Sequence, residues 1–468
     1  MNHPWQKFEL AYVTIELTSA FLITAGDSDQ LFDAVFVTDA NGLPCIPGES
    51  LAGILRHAIA GDGDPERDPT CRQLFGYQER QEGQASRLRV SYAHVHDKND
   101  QPVPFRGAKM QEDQVLAALQ AGVGRDHVRI GKDGVAELRG KFDELVIPAG
   151  ARFTFELAVA RDGGYTSTKL LQVLARGDVR LGGKTRRGLG KFRVVRAISA
   201  SFDLSQKGDV QKLGQLPVAL EEAVKSNLLK SIPVPEITDS PNRLHGELRL
   251  NPVGTWMIGG GIPTGREPQR SQDKPWDRVP LSEARIKWEN NKGQVDTNDR
   301  TPYLLPASSI KGAVRHRSAF HARRLSKEWY DPNKLYGEFT KQELLLFGDI
   351  RNKEDGMPGR VYFSDVYIPN ATLQALQHVS LDRFTQGPMD HRLYDELALV
   401  GGELVIEITI DIEKCKDDCI AVKALDCALR DLCEGRLALG AGRGHGRFQG
   451  TLTWKHNKKL VQEEAAVC

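Results

Sequence analysis

The sequence predicts an α+β protein made of two tandem copies of one domain. Residues 50–57 (SLAGILRH) recur as residues 309–316 (SIKGAVRH), with serine, glycine, arginine and histidine in the same register. Leu-Phe-Gly then appears at residues 74–76 and again at 346–348, and each half ends in a glycine-rich basic loop, at 181–192 and 439–448. Because the motifs keep the same order, an internal duplication explains them, and each copy has the roughly 200 residues of an ordinary domain.

The first copy contains strand and helix patterns in alternation. Residues 10–18 alternate apolar and polar side chains, which predicts a half-buried strand, and residues 34–37 (AVFV) predict a short second strand. Ser50 is the expected N-cap of a helix over residues 51–59, because its hydroxyl can accept a hydrogen bond from a free amide of the first turn. A strand over 153–159 and a helix over 169–175 complete the copy.

The second copy repeats this plan. Strands are predicted over 248–253 and 404–410, one helix begins after Ser308 or Ser309 as its cap, and another covers 421–432. The predicted domains are therefore residues 1–205 and 245–456. A proline-containing linker with one helix over 218–229 occupies 206–244, and a tail occupies 457–468. Two polar inserts, 266–278 and 289–300, are expected to be mobile.

This order of elements matches the ferredoxin-like βαββαβ plan, in which two helices back a four-stranded antiparallel sheet. RNA-recognition modules commonly have this RRM-like topology. Topology alone does not establish function.

The composition is that of a soluble globular protein. The 468 residues are 40% hydrophobic and 27% charged, with a formal net charge of +1, which does not indicate disorder. No apolar run approaches the roughly 20 residues that span a bilayer, and the first residues lack the layout of a signal peptide. We therefore expect a cytoplasmic protein with no membrane partner. The small net charge is weak support for a nucleic-acid partner, but positive charge is concentrated in residues 184–191 and 311–324.

The seven cysteines do not predict a disulfide framework, because their number is odd and several are far apart in the chain. Cys415, Cys419, Cys427 and Cys433 form a cluster, but their spacing does not match the paired knuckles of structural zinc sites. The same stretch has the apolar stripe of a buried helix, so no zinc is expected there.

The combination of motifs resembles the RAMP superfamily. Its elements are a glycine loop, the Pro-Gly-x-Ser-Leu-x-Gly-x-x-Arg pattern of residues 47–56, Leu-Phe-Gly and the terminal glycine-rich loop. The chain is most similar to backbone subunits of type III CRISPR effector complexes, and its two copies resemble the fused backbone proteins of type III-D variants. The resemblance implies a prokaryotic protein whose halves bind CRISPR RNA and single-stranded target RNA, kink them with inserted thumb segments, and dock with other effector subunits.

The resemblance places RNA contacts in the glycine loops, the two repeated helices, the thumbs and the basic loops. Glycines let a phosphate approach the backbone, and amides at a helix N-terminus point toward an anion. In the alternative interpretation, Gly53 and Gly312 only allow close packing of helix on sheet. The expected RNA-binding residues are Gly26, Ser50, Gly53, Arg56, Arg129, Lys184, Arg186, Arg187, Lys191, Gly260, Ser309, Lys311, Gly312, Arg315, Arg383, Arg443 and Arg447.

The resemblance also implies a catalytic aspartate in the loop before the second strand. Asp33 falls at this position, and Asp27 and Asp29 in the same loop are rivals. Such a carboxylate would assist proton transfer or ligate a divalent cation, Mg²⁺ or Mn²⁺, while the RNA 2′-hydroxyl attacks its own phosphate. This predicts a metal-dependent endoribonuclease that cuts target RNA.

The second copy departs from this pattern. Aligning residues 284–287 as the equivalent strand puts Glu283 opposite Asp33, but the insert makes the register loose, and Asp296 and Asp299 are alternatives. The activity of this half stays open.

Two segments resemble the thumb that contacts the guide–target duplex. Residues 379–384 (VSLDRF) are the stronger match and 127–130 (HVRI) the weaker. Apolar side chains next to an arginine suit wedging between bases. Alternatively, Leu381 and Phe384 belong to the core.

Two other functions remain open. In the first, the chain is a scaffold that binds RNA without cutting it. In the second, it is a processing nuclease that matures CRISPR RNA with a histidine such as His57 or His316. The leading hypothesis is the RNA-cutting backbone subunit.

Overall fold

The computed structural model describes residues 4–24, 32–80, 82–110, 112–131, 135–238, 243–261, 263, 267–268, 275–297, 300–327, 340–349, 356–368, 370–412, 415, 418–440 and 445–455. Two large hydrophobic cores occupy this chain, one in each half. We call the halves the first and the second domain.

The first domain is built on a six-stranded sheet. Its helices are α1 (Gly48–Ala60), α2 (Pro69–Phe75), α3 (Gln114–Ala121) and α4 (Ser167–Leu174), and α5 (Lys207–Gln215) and α6 (Leu220–Ala223) follow. Its strands are β1 (Lys7–Leu17), β2 (Tyr77–Glu79), β3 (Glu82–Gln84), β4 (Leu88–Val90), β5 (His94–Val95), β6 (Val123–Ile130), β7 (Ala136–Val146), β8 (Arg152–Ala160), β9 (Phe192–Asp203) and β10 (Lys230–Ser231).

The second domain is built on a four-stranded sheet. Its helices are α7 (Ala307–Ser326), α8 (Lys341–Phe347) and α9 (Cys419–Cys433). Its strands are β11 (Arg243–Pro252), β12 (Thr255–Trp256), β13 (Ile286–Glu289), β14 (Lys292–Val295), β15 (Tyr303–Leu305), β16 (Gly348–Asp349), β17 (Met357–Pro358), β18 (Val361–Phe363), β19 (Val366–Ile368), β20 (Thr372–Leu381), β21 (Pro388–Val400), β22 (Leu404–Asp411) and β23 (Phe448–Lys455).

Both sheets have the predicted ferredoxin-like strand order. In the first domain the order is β9-β1-β8-β4, with β10 added at one edge. In the second it is β23-β11-β22-β18. In each sheet the first strand of the domain lies between the third and fourth strands of the βαββαβ unit, and the second strand lies at the edge. The tandem α+β fold is therefore confirmed.

Each domain carries a long hairpin between its second and third sheet strands. In the first domain β6 pairs with β7, with His127 opposite Phe142, and we call this hairpin the first thumb. In the second domain β20 pairs with β21, with His378 opposite Tyr394, and this is the second thumb. The register is the same in both, so the duplication extends into the thumbs.

Strand β1 is buried on both faces, not half-buried as predicted. One face points into the large core of the first domain. The other carries Phe8, Leu10 and Tyr12, which pack in a smaller cluster with Ala223 of α6 and Leu229. The segment after β9 therefore covers the back of the first sheet. Its helix α6 is much shorter than the helix predicted over 218–229.

A hairpin of the second half inserts into the core of the first domain. Ile286 and Val295 of β13 and β14 are buried there, and Trp288 Nε1 donates to the carbonyl of Gly150 at 2.7 Å. The turn Asn290-Asn291 has positive φ at both residues, as a tight two-residue hairpin requires. The prediction that 289–300 is a mobile polar insert was wrong for the described residues, because the apolar side chains on one face of this hairpin were overlooked.

A buried ion cluster joins the first thumb to the second domain. Arg125 donates to both carboxylate oxygens of Glu283, at 2.7 and 2.9 Å, and to Asp365 Oδ2 at 2.8 Å. The Tyr367 hydroxyl donates to Glu283 at 2.5 Å. Burial alone would lower the pKa of Arg125, but the Asp365 and Glu283 carboxylates outweigh burial and raise that pKa well above its usual value.

The two repeated helices begin earlier than predicted. Pro47 and Pro306, not Ser50 and Ser308 or Ser309, are the N-cap residues. Proline fixes φ near −65° and has no N–H to leave unpaired. At α7 the capping side chain comes from elsewhere in the chain, because Asp365 Oδ1 accepts a hydrogen bond from the Ala307 amide at 2.8 Å.

Residues 34–37 do not form the predicted strand. Ala34 makes a parallel bridge to Glu144, and Phe36 makes an antiparallel bridge to Thr24. Because the two residues bond different neighbours, no continuous ladder forms.

Within the described residues Cys45, Cys71, Cys427 and Cys433 are free thiols, and Cys419 is disulfide-bonded. Among the described residues, the helices are all too short or too polar to cross a lipid bilayer.

Candidate nucleic-acid interface

The repeated glycines lie on open surface. A Cβ added to Gly53 or to Gly312 would meet no atom of the described residues within 4 Å, leaving aside each helix's own backbone. Close packing of helix on sheet therefore does not explain either residue, which excludes the packing interpretation. Each glycine instead leaves room for a ligand beside its helix.

Positive charge collects where the two domains meet. Lys311 lies in the second turn of α7, and the glycine-rich loop of the first domain brings Arg186 and Arg187 close to it. Burial, and then the charges of Arg187, Arg186 and Arg315, lower the pKa of Lys311 from 10.5 to about 7. Within the described residues no carboxylate forms a salt bridge with Lys311. An anion would restore the charge of this lysine and neutralise its neighbours.

The loop reaches α7 because Gly188 permits a close approach. Its φ is +97°, and a Cβ there would lie 2.5 Å from the Cβ of Ala307 and 2.7 Å from Asp365 Oδ1. The basic loop of one domain and the repeated helix of the other, which the resemblance assigned separately to RNA, thus form one surface. We call Arg186, Arg187, Lys311 and Arg315 the cationic cluster.

Other basic residues of this loop already have protein partners. Lys184 forms an ion pair with Glu144, and Lys191 forms one with Glu407 of the second domain. Arg186 donates to the carbonyl of Gly359 at 2.6 Å and lies over the Tyr362 ring. Arg187 is exposed. Lys184 and Lys191 therefore stabilise the fold through ion pairs within the protein. Arg187 is more accessible to a ligand than Lys184, Arg186 or Lys191.

The two equivalent arginines differ in their partners. Arg315 Nε donates to Glu343 Oε1 at 2.7 Å. In the first domain the position of Glu343 is taken by Cys71, whose thiol donates to the carbonyl of Arg56 at 3.3 Å. The Nε of Arg56 is buried and has no hydrogen-bond partner in the part of the chain that the structure describes. Burial, with Asp68 as a further cause, raises the pKa of Cys71 to about 11, so this thiol stays neutral.

Asp33 lies on the surface against the first thumb. Its Oδ2 accepts a hydrogen bond from the Asp143 amide at 3.1 Å, and its own amide donates to Asp143 Oδ1 at 3.0 Å. The next residue, Ala34, accepts from the Leu145 amide at 2.9 Å. These bonds fix the carboxylate beside strand β7.

The second domain has an aspartate in the same position, and it is Asp277. Its Oδ2 accepts a hydrogen bond from the Asp395 amide at 2.8 Å, and the carbonyl of Arg278 accepts from the Leu397 amide at 3.0 Å. Arg278 also makes a parallel bridge to Glu396, as Ala34 does to Glu144. Asp277 is exposed like Asp33.

A short pattern in the sequence could have identified Asp277. Residues 32–35 read FDAV and residues 276–279 read WDRV, an aromatic residue followed by Asp-x-Val. The flanking backbone contacts agree. The Val37 amide donates a hydrogen bond to the carbonyl of Ile23, and the Leu281 amide donates one to the carbonyl of Ile258. The alignment of residues 284–287 as the equivalent strand pointed to Glu283 instead, because an insert of different length separates Asp277 from the repeated helix.

The second-domain carboxylates predicted from sequence lie elsewhere. Glu283 is 2% exposed and held in the Arg125 cluster. Asp296 is buried and paired with Lys287 at 2.7 Å. Neither is accessible to an RNA strand, so neither is retained as a candidate. Asp27, Asp29, Asp299, Gly26 and Arg443 lie outside the described residues.

The remaining predicted contacts lie on the surface. Ser309, Arg447, Arg129 and Arg383 are exposed, and Ser50 is half-buried. Arg129 pairs loosely with Glu137 at 3.4 Å on the first thumb. Gly260 has φ +101° and open space around a built Cβ.

The thumb tips are apolar and exposed. Phe384 is 90% exposed and Leu381 is 58% exposed on the second thumb, and Leu138 is 95% exposed on the first. The interpretation of Leu381 and Phe384 as core was therefore wrong. Asp382 Oδ1 accepts hydrogen bonds from the amides of Phe384 and Thr385, which shapes the turn that presents Phe384.

Asp33 and Asp277 have the donor chemistry that a hard divalent cation needs. Each offers carboxylate oxygens at the surface, and Mg²⁺ is commonly held by one or two carboxylates, waters and substrate phosphates. In the first domain the carboxylate of Asp143 lies next to Asp33, whereas Asp395 contacts Asp277 through its backbone amide and is 3% exposed. The donor set therefore fits such an ion.

The family comparison agrees with this architecture. The family model described as RAMPs, the RAMP superfamily, matches residues 14–193 and 250–449. Among solved structures 207 chains match. One belongs to the "Cryo-EM structure of the Type III-B Cmr-beta bound to cognate target RNA", with 17% identity and a TM-score of 0.30, over 42% of this chain and 62% of that chain. No curated protein matches the chain. With one match in each duplicated half and most of the chain covered, this protein belongs to the RAMP superfamily.

Proposed function

We propose that the chain is a CRISPR RNA-binding backbone subunit of a type III RNA-guided effector complex. The observation that carries the proposal is the open space at Gly53 and Gly312. This space lies beside Arg56, whose Nε has no described hydrogen-bond partner, and beside Lys311, which forms no salt bridge with a described carboxylate. Phosphate contacts of this kind provide sequence-independent RNA binding. The guide strand would run past α1, then across the cationic cluster at α7.

Each repeated helix contributes a different cation to this path. In the first domain Arg56 brings an Nε without a described partner. At the second helix Lys311, together with Arg187 from the loop of the first domain, brings charge that a phosphate would stabilise. Charge-assisted hydrogen bonds to phosphate are among the stronger polar interactions in proteins.

Substitution of the two glycines tests this path. Gly53→Leu and Gly312→Leu place a side chain in the space where the phosphate would lie, and we expect the affinity of the full chain for a fluorescein-labelled oligouridine to fall at least about tenfold, or about 1.4 kcal/mol. Gly53→Ala and Gly312→Ala are the matched controls, because alanine in a helix interior should raise stability by about 0.5–1 kcal/mol and leave room for RNA. Leucine variants that fold and bind like the wild type would refute the path.

We further propose that target RNA is cut at two equivalent centres, Asp33 and Asp277. Cleavage by an RNA 2′-hydroxyl requires that this group be aligned with its own phosphate and that a base assist loss of its proton. An exposed apolar thumb tip such as Phe384 can unstack a base step and provide that alignment. The carboxylate beside each thumb would take the proton or orient the group that does.

Asp33 and Asp277 would also hold the divalent cation, with the carboxylate of Asp143 next to Asp33. When bound, that ion would neutralise charge developing on the phosphate.

The double variant Asp33→Asn, Asp277→Asn separates an enzyme from a scaffold. In the assembled complex with matching target RNA and Mg²⁺, we expect guide binding to be retained and cutting to fall by about 10²–10⁴-fold. If the double variant cuts at the wild-type rate, these aspartates are not the centres. If the wild-type complex binds target without cutting it, the chain is a scaffold.

A processing nuclease is tested with the isolated chain and CRISPR repeat RNA in the absence of metal. His57 and His316 are both exposed on their helices, but within the described residues neither has a hydrogen-bonded carboxylate to orient it. We expect no cleavage, and metal-free cutting that is lost in His57→Ala or His316→Ala would overturn the proposed role.

A further inference from the structure

Three potential metal ligands meet at the base of the second thumb. His378, Glu396 and His445 each direct one ligand atom to a space in which these atoms all lie within 4.8 Å of one another. His378 Nε2 is 2.9 Å from Glu396 Oε1. The residues come from β20, from β21 and from the glycine-rich loop before β23, so the cluster joins three separate segments.

Neighbouring side chains hold the histidines in place. The Tyr394 ring stacks on His378 at a centroid distance of 4.9 Å, and Thr255 Oγ1 lies 2.6 Å from His445 Nδ1. A hydrogen bond at one ring nitrogen fixes the ring and leaves the other nitrogen for a metal. This arrangement is typical of histidine ligands.

The first domain has an equivalent histidine and glutamate, and there a lysine neutralises the glutamate. His127 stacks on Phe142 at 5.0 Å, and its Nε2 is 4.0 Å from Glu144. Glu144 is 1% exposed and forms an ion pair with Lys184, which comes from the equivalent glycine-rich loop. The first domain thus closes its histidine–glutamate pair with an ammonium group.

The second domain supplies a histidine instead of that lysine. Glu396 is 4% exposed, and its described cationic neighbour is Arg278, whose Nη1 lies 3.9 Å from Oε2 while its side chain is 53% exposed. A buried carboxylate needs closer compensation than this. Two imidazoles and one carboxylate around a small space suit a borderline divalent metal.

We propose that His378, Glu396 and His445 bind one divalent transition-metal ion, with Zn²⁺ the expected occupant. The ion performs in the second domain the task that Lys184 performs in the first: it ties the thumb to the glycine-rich loop. Three protein ligands leave a coordination position open for water or an RNA phosphate oxygen. The site is separate from the carboxylates at Asp33 and Asp277, which suit a hard ion.

The test uses the full chain, purified without a histidine tag, stripped with a chelator and dialysed against Zn²⁺ or Mg²⁺. Bound metal is measured by mass spectrometry and by calorimetric titration. We expect one Zn²⁺ per chain, no Mg²⁺ at this site, and a rise in the thermal unfolding midpoint with Zn²⁺. His378→Ala and His445→Leu should each lose the bound zinc and the rise.

His445→Leu is the more informative variant, because Leu189 occupies the equivalent position in the first domain: Gly190 and Gly446, which follow these residues, make the same backbone contacts. His127→Ala is the matched control and should keep full zinc binding. The proposal is overturned if the wild type retains no zinc, or if both second-domain variants fold and retain it at wild-type stoichiometry, which would indicate adventitious binding to other histidines.

Discussion

The two domains share one backbone frame but fill it with different charges. In both, the amide of the last glycine of the glycine-rich loop donates a hydrogen bond to an equivalent carbonyl: Gly190 to Ala20 in the first domain and Gly446 to Thr255 in the second. The side chains around this frame differ. The thumb glutamate lies near Lys184 in the first domain and near His445, at the position of Leu189, in the second. The repeated arginine lies near Cys71 in the first domain and near Glu343 in the second. Duplication has therefore kept the geometry that brings the repeated helix, the thumb and the glycine-rich loop together, whereas the groups that neutralise each buried charge have diverged.

The difference also determines where each domain offers free positive charge. Ala52 of the first helix corresponds to Lys311 of the second. At the second helix the positive charge comes from Lys311 and from Arg186 and Arg187 of the first domain's loop. At the first helix it comes from Arg56. The interface between the domains thus creates a cationic surface that neither domain has alone.

The largest effect on stability is expected from the Arg125 cluster. Arg125→Met leaves Glu283 and Asp365 buried without their cation, so the free energy of unfolding should fall by about 3–5 kcal/mol. Arg129→Met, on the same thumb but in an exposed pair, should cost less than about 1 kcal/mol. Urea denaturation followed by tryptophan fluorescence measures both. Equal losses in the two variants would contradict the view that this cluster fastens the domains.

Arg56 and Arg315 should separate RNA binding from stability. Arg56→Ala should weaken oligouridine binding by about 1.5–3 kcal/mol, the contribution of a hydrogen bond to a charged group, with little change in unfolding. Arg315→Ala removes the partner of the buried Glu343, so its main effect should be on stability. Binding and urea titrations on both proteins make the comparison. An identical profile for the two variants would mean that the domains do not differ as described.

Lys311 should give RNA binding a pH dependence. Its pKa of about 7 in the free protein should rise when a phosphate binds, so above pH 7 binding requires uptake of a proton. Affinity should then fall by up to about tenfold between pH 7 and 8. Without RNA the sign for stability is opposite: between pH 7 and 10.5 only the unfolded chain holds this proton, so the free energy of unfolding rises with pH.

Lys311→Arg is the matched control for this prediction. Arginine stays charged, so the variant should bind RNA with little pH dependence. Lys311→Met should bind weakly at every pH. If the wild type and Lys311→Arg show the same dependence between pH 7 and 8, another group is responsible.

The sequence was sufficient for the fold because the repeat and the strand patterns are local features. The order of β1, α1, β8 and α4 follows from periodicity and from motifs that occur twice. The exact helix starts were missed because the group that caps α7 is Asp365, 58 residues from the amide it binds. The β13–β14 hairpin was missed because its apolar residues pack in the other domain.

The site was predictable only in part. The resemblance implied Asp33 as a candidate, with Asp27 and Asp29 as rivals, and the structure shows a defined contact between Asp33 and Asp143. Asp277 was missed because an insert of different length separates it from the repeated motif, although its aromatic-Asp-x-Val pattern was visible. The pairing of Lys184 with Glu144 and of Lys191 with Glu407 could not be predicted, since the partners are distant in sequence.

The equivalence of Asp33 and Asp277 is tested most directly by mapping target cleavage at nucleotide resolution with each single variant. The assembled complex carrying Asp33→Asn should lose one set of cuts, and the complex carrying Asp277→Asn should lose a different set, each by about 10²–10⁴-fold. A pattern for Asp277→Asn that matches the wild type would contradict the account, as would loss of the same cuts in both variants.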